Sequence, residues 1–143
     1  MGLFRDLSQL PETAKGGVLV IGNFDGVHKG HQAVLSRALE KAQEIEGDRK
    51  TEVTVLVFDP HPRQYFAPHA PSLRLTRLET RARLLEQYGA TNIVALTFNK
   101  NMAEMSAEDF IQKIIIESFD ARAVCIGHDF HFGKNRAGTP DML

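Results

Sequence analysis

Neither sign of charge is in excess: 17 Lys and Arg stand against 18 Asp and Glu, a formal net charge of -1. There is no long-range field to hold a nucleic-acid backbone, so any polyanionic ligand must be held by local geometry. Cysteine is almost absent, and the lone Cys125 cannot form an internal disulfide, which favours a reducing compartment. No apolar run approaches the ~20 residues that a membrane-crossing helix needs. The opening Met1-Gly2-Leu3-Phe4-Arg5-Asp6 lacks a basic region followed by an apolar signal core, and the expected location is cytoplasmic. Pro, Gly and Ser are not enriched enough for disorder, and 143 residues suffice for one domain with its own core.

What is present alternates between two kinds of segment. Apolar, β-branched runs at 17–22, 53–58, 93–96 and 123–127 read as strands covered on both faces, since they are continuous rather than alternating. Between them, Val34, Leu35, Ala38, Leu39, Ala42 and Ile45 repeat at helical spacing, as do Leu78, Ala82, Leu85 and Tyr88, and then Phe110, Ile111, Ile114, Ile115 and Phe119. Thr76-Arg77-Leu78-Glu79 has capping-box spacing, and Ser106-Ala107-Glu108-Asp109 places acidic residues where a helix dipole favours them. Residues 3–16 are mixed and read as an extended or loosely helical lead-in. Strand followed by helix, repeated, predicts an α/β fold with a doubly wound parallel sheet. The turns after the four strands should then gather at the sheet's carboxyl edge, where such folds bind ligands.

The turn after the first strand carries the chemistry: Gly22-Asn23-Phe24-Asp25-Gly26-Val27-His28-Lys29-Gly30-His31. Where a strand hands over to a helix, free backbone N–H groups and the helix dipole make a site suited to phosphate. The glycines lack both the Lys-Ser/Thr ending of one common phosphate loop and the spacing of the dinucleotide loop. Histidine is the distinctive element. His28 and His31, three residues apart, project to roughly one side of a helical turn and can reach one ligand. Two imidazoles beside a helix N-terminus can stabilise charge developing on a phosphorus and on departing pyrophosphate without a nucleophilic side chain. Two plainer readings stand beside this one. His28 caps the helix while His31 fills space, or the two form part of a zinc site, although no third ligand at suitable spacing is evident.

The loop at 59–75 is long and proline-rich, and long loops in compact domains tend to be functional. Phe58, Phe66, Phe130 and Phe132 offer apolar surface for a flat ring, and Arg63 or Arg136 offers a forked guanidinium to phosphate. Ordinary core packing accounts equally well for Phe58, and local loop bonding for Asp129.

The run at 22–31 resembles the first signature of the FAD synthetase domain of bacterial bifunctional riboflavin kinase/FMN adenylyltransferases. Phe58-Asp59-Pro60-His61-Pro62 is similar to that family's second stretch, and 127–138 to its third. The similarity extends from about residue 17 to 141. His28-Lys29-Gly30-His31 alone would indicate only the wider HxGH nucleotidyltransferase superfamily with its Rossmann-like fold; the flanking residues narrow it to the flavin branch. The resemblance implies transfer of AMP from MgATP to FMN, giving FAD and pyrophosphate, with Mg2+ arriving on the nucleotide and no metal held by the protein itself. It implies that Gly22, Asn23, Phe24, Asp25 and Gly30 lie on the ATP-phosphate side, with His28 and His31 nearest the reacting phosphates. It places Phe58, Pro60, His61, Pro62, Arg63, Asp129, Phe130, Phe132 and Arg136 near the flavin or the junction between substrates.

Two departures qualify the match. His131 stands where the family commonly has Arg, and the chain ends before the family's Ser-Ser-Thr-x-x-Arg segment and riboflavin kinase domain. Residues 1–143 therefore read as an incomplete adenylyltransferase domain with weak or absent activity in isolation, its partners being ATP, FMN and FAD rather than nucleic acid or membrane. A non-catalytic ATP- or FAD-binding module and a cytidylyltransferase acting on an alcohol phosphate are the competing functions.

Overall fold

Successive residues of the central strands face opposite sides of one sheet, and both sides are buried. The computed structural model describes residues 2–22, 24, 29–46, 51–59, 66, 78–126 and 138. Among them are five strands: β1 (Gly2–Phe4), β2 (Val18–Ile21), β3 (Val53–Asp59), β4 (Asn92–Thr97) and β5 (Ala123–Cys125). All pair in parallel in the order β1-β4-β3-β2-β5. The central register sets Val20 beside Val55 and Val55 beside Ile93.

Helices cover both faces. On one side α1 (Lys29–Ile45) and α2 (Leu78–Gln87) place Leu35, Ala38, Ala42, Leu78, Ala82 and Leu85 against Val18, Val20, Val53, Val55, Val57 and Ile93. On the other, Ala107, Phe110, Ile114, Ile115 and Phe119 meet Leu19, Ile21, Leu56, Phe58, Val94 and Leu96. This two-residue alternation between apolar clusters explains why the strands read as unbroken apolar runs. Side chains such as Leu35, Leu56 and Leu85, at 0% exposure, each contribute about 1.5–3 kcal/mol by burial.

The four expected strands are present, with ends shifted by one or two residues, and the doubly wound α/β expectation holds. The lead-in is more ordered than its sequence suggests. It begins with the edge strand β1 and continues through two short 3-10 turns, Leu7–Gln9 and Glu12–Ala14, the first capped by Asp6 accepting from the Ser8 amide at 2.9 Å. That bond holds the Asp6 carboxyl below its ordinary value. A short helix α3 (Lys100–Glu104), capped by Asn99, follows β4.

The segment opened by Ser106 differs in kind from the regular helix expected. It starts as α4 (Ala107–Asp109), with Ser106 Oγ accepting from the Asp109 amide at 3.1 Å, and continues as a π-helix (Phe110–Ser118). The Phe119 amide reaches back five residues to the Ile114 carbonyl at 3.2 Å. Tyr88 also departs from expectation: it lies just past α2 and is 41% exposed. Thr76 and Arg77 of the capping box lie outside the described residues, although α2 does open at Leu78.

Candidate active site

Strand order reverses at β2, with β3 and β4 on one side and β5 on the other. In an open parallel sheet that reversal leaves a crevice above the carboxyl ends of the two diverging strands. Gly22 closes β2, its amide donating to the Leu56 carbonyl at 3.1 Å, and α1 opens at Lys29 with Gly30 and His31 in its first turn. The His31 imidazole and the positive end of a 17-residue helix thus share one end of the sheet.

His31 is half-buried and meets Phe24 edge-on, their ring centroids 5.0 Å apart and their planes at 65°. Phe24 is 3% exposed and packs within the cluster that holds Val20 and Leu35. Its φ of 53° lies in the left-handed region, a conformation that costs a bulky residue about 1–3 kcal/mol. The Phe24 ring, expected on the ATP-phosphate side, is packed in the core. Gly22 fits the same arrangement. A Cβ there would come within 2.9 Å of Phe24 Cε2, so this glycine makes room for a ring rather than supplying a positive φ.

The second group of residues lies at the ends of β3 and β4. Phe58, at 6% exposure, meets Phe98 edge-on at 5.8 Å and Phe110 at 6.3 Å. Phe98 in turn meets Phe66 at 5.9 Å, and Phe66 is 68% exposed. Phe58, expected to face a flavin, is a core residue, and the open apolar surface of this ladder lies at Phe66. Phe58, Phe98 and Phe110 belong to the cluster on one sheet face, whereas Phe24 belongs to the cluster on the other.

Two contributions escaped the sequence reading. Arg5, just past β1, reaches Asp59 at 3.3 Å and Glu79 at 3.5 Å, tying the lead-in to the second stretch and to the first turn of α2. No local pattern announces a contact across 54 residues. Arg81 is 1% exposed on the same side of α2 as Leu78, Ala82 and Leu85. Its spacing matched the buried stripe, but its charge argued against burial. Cys125, at the end of β5, is half-buried; desolvation pushes its thiol up, against the opposing pull of Arg37 and Lys41.

Asn23, Asp25 and His28 lie outside the described residues, as do Pro60, His61, Pro62 and Arg63, and Asp129, Phe130, Phe132 and Arg136. Among the described residues no group of three or more His, Cys, Asp or Glu side chains is placed to hold a metal ion.

The family model described as FAD synthetase matches residues 10–143. The chain belongs to the FAD synthetase family. Curated relatives named bifunctional riboflavin kinase/FMN adenylyltransferase include those of Pseudomonas fluorescens (37% identical), Escherichia coli K12 (36%) and Haemophilus influenzae (36%). The matches cover 100%, 94% and 100% of this chain but 44%, 41% and 45% of the respective relatives, so the chain spans less than half their length. A solved structure named as a macrolide-efflux protein from Streptococcus pneumoniae superposes with a TM-score of 0.82 at 25% identity, covering 98% of this chain and 52% of that one. In this member of the family the sheet order places a histidine in the first turn of α1, next to the strand at which the order reverses.

Proposed function

We propose that this chain is the FMN adenylyltransferase part of a longer protein, transferring AMP from ATP to FMN to give FAD and pyrophosphate. The observation that carries the reading is His31 in the first turn of α1, beside the point where strand order reverses. A phosphate oxygen of FMN attacks the α-phosphorus of ATP; that P–O bond forms as the bond to the β-phosphate bridging oxygen breaks, and pyrophosphate leaves with the electron pair. The protein aligns the two phosphates and neutralises charge on the departing group. His31 and the positive end of α1 do this from one side, with His28 as the second imidazole. Asn23, Asp25 and Gly30 line the nucleotide phosphates. Magnesium carried on those phosphates would shield their charge; the chain's part is to hold the loaded nucleotide. Phe66, backed by Phe98, offers the flat apolar face that an isoalloxazine needs. Pro60, His61, Pro62, Arg63, Asp129, Phe130, Phe132 and Arg136 complete the flavin side.

Names of the relatives support a riboflavin kinase domain in the same polypeptide, and the single cysteine favours a reducing, cytoplasmic setting. The efflux for which the structural match is named belongs to that protein; among the described residues of this chain no helix is long and apolar enough to cross a membrane. The test is pyrophosphate release and FAD formation by the full-length protein given MgATP and FMN. Replacing His31 or His28 with Ala should lower kcat by roughly 100- to 1,000-fold, the usual effect of losing one preorganised charge-stabilising donor. Binding of ATP and FAD without turnover would identify a non-catalytic module, and preference for CTP a cytidylyltransferase.

A further inference from the structure

We propose that Phe24 is a positioning residue: its ring, held under the entrance to α1 by a left-handed backbone, fixes the imidazole of His31 in its reactive orientation. Three observations converge on this role. Phe24 adopts a φ of 53°, which a bulky aromatic side chain rarely takes, and such strain persists only where the surroundings over-determine it. The ring is 3% exposed, and the only reacting-site side chain it meets among the described residues is His31, edge-on at 5.0 Å. Gly22 leaves space for that ring, since a Cβ would stand 2.9, 3.2 and 3.4 Å from three of its carbons. A residue that merely filled the core would need neither the left-handed backbone nor the bare neighbour. Edge-to-face contact between rings is directional, so it restricts tilt as well as position. Gly22 and Phe24 then act on the reaction through His31, not through the nucleotide.

This role rests on the adenylyl-transfer reading only for its kinetic consequence, so two kinds of measurement test it in the full-length protein. In steady-state kinetics Phe24→Leu should lower kcat by roughly 10- to 100-fold, the scale of a small misplacement at a reacting centre, and leave KM for ATP nearly unchanged. Gly22→Ala should lower kcat in the same way. Combined with Phe24→Leu it should add little, because the shorter side chain no longer fills the space. In NMR of the unliganded protein, labelled at histidine, both variants should shift the ring resonances of His31.

Wild-type kcat in Phe24→Leu, a loss confined to KM for ATP, multiplicative losses in the double variant, or unmoved His31 resonances would each overturn the role. Should Phe24→Leu fail to fold, Gly22→Ala carries the same kinetic and spectroscopic outcomes alone. Wild-type protein that forms no FAD would instead refute the adenylyl-transfer reading, leaving the His31 resonances to decide the positioning role.

Discussion

Arg5 Nη1 lies 3.3 Å from Asp59 Oδ2 while its Nη2 lies 3.5 Å from Glu79 Oε1, so one guanidinium joins the edge strand, the end of β3 and the start of α2. Arg5 and Glu79 are more than half exposed, and pairs of this kind contribute at most about 1 kcal/mol. The value of the contact lies in geometry, because Asp59 belongs to the stretch assigned to the flavin side. Arg5→Ala should leave the melting temperature almost unchanged and raise KM for FMN severalfold, with KM for ATP unaffected. An equal rise in both constants would show that Arg5 does not act through this stretch.

The aromatic ladder separates a stability residue from a substrate residue. Phe58 sits at 6% exposure between Phe98 and Phe110, and Phe58→Ala should destabilise the fold by about 3–5 kcal/mol in urea titration. Phe66 is 68% exposed, and Phe66→Ala should alter stability by less than about 0.5 kcal/mol. Its effect should fall on FMN, as a higher KM or weaker binding by calorimetry. A destabilised Phe66→Ala protein with normal FMN affinity would remove Phe66 from the flavin surface.

The helix from Ala107 to Ser118 makes a sharper test, because its unusual winding decides which isoleucine is buried. Phe110, Ile114, Ile115 and Phe119 face the sheet at steps of four, one and four residues, a period near the wider π-helical turn. Ile114 is 6% exposed and Ile116 49%. Ile114→Ala should cost about 2–5 kcal/mol, whereas Ile116→Ala should cost under about 0.5 kcal/mol. Comparable losses at the two positions would contradict this packing.

Sequence announced the strands because burial on both faces demands unbroken apolar runs, as in Val53-Thr54-Val55-Leu56-Val57-Phe58. It announced His31 because imidazole and glycine after such a strand have a specific chemical use. It did not reveal the π-helix, since apolar residues four and five apart satisfy an α-helical stripe almost as well. Nor did it reveal β1, whose three residues are half-buried and whose pairing with β4 is remote in sequence. Phe24 shows a different limit. Its residue type suits a ligand surface and a core equally, and only the backbone conformation and the His31 ring distinguish them. Arg5 and Arg81 depended on long-range packing that no local pattern encodes.

Cys125 links the fold to pH. Its side chain is half-buried at the end of β5, and desolvation raises its pKa above the ordinary thiol value of 9.0, outweighing Arg37 and Lys41, which favour the thiolate. The folded state therefore holds this proton more tightly than the unfolded one. The corresponding stability is present below pH 9.0 and is lost as pH climbs through the raised folded value. Against Cys125→Ala, wild-type protein should lose stability more steeply above pH 9 in urea titrations, because only wild type must ionise a desolvated thiol. Below that pH, iodoacetamide should alkylate Cys125 far more slowly in native protein than in urea, since the thiolate is the attacking species. Equal rates in the two states, with parallel stability profiles for wild type and variant, would show that burial does not protect this thiol.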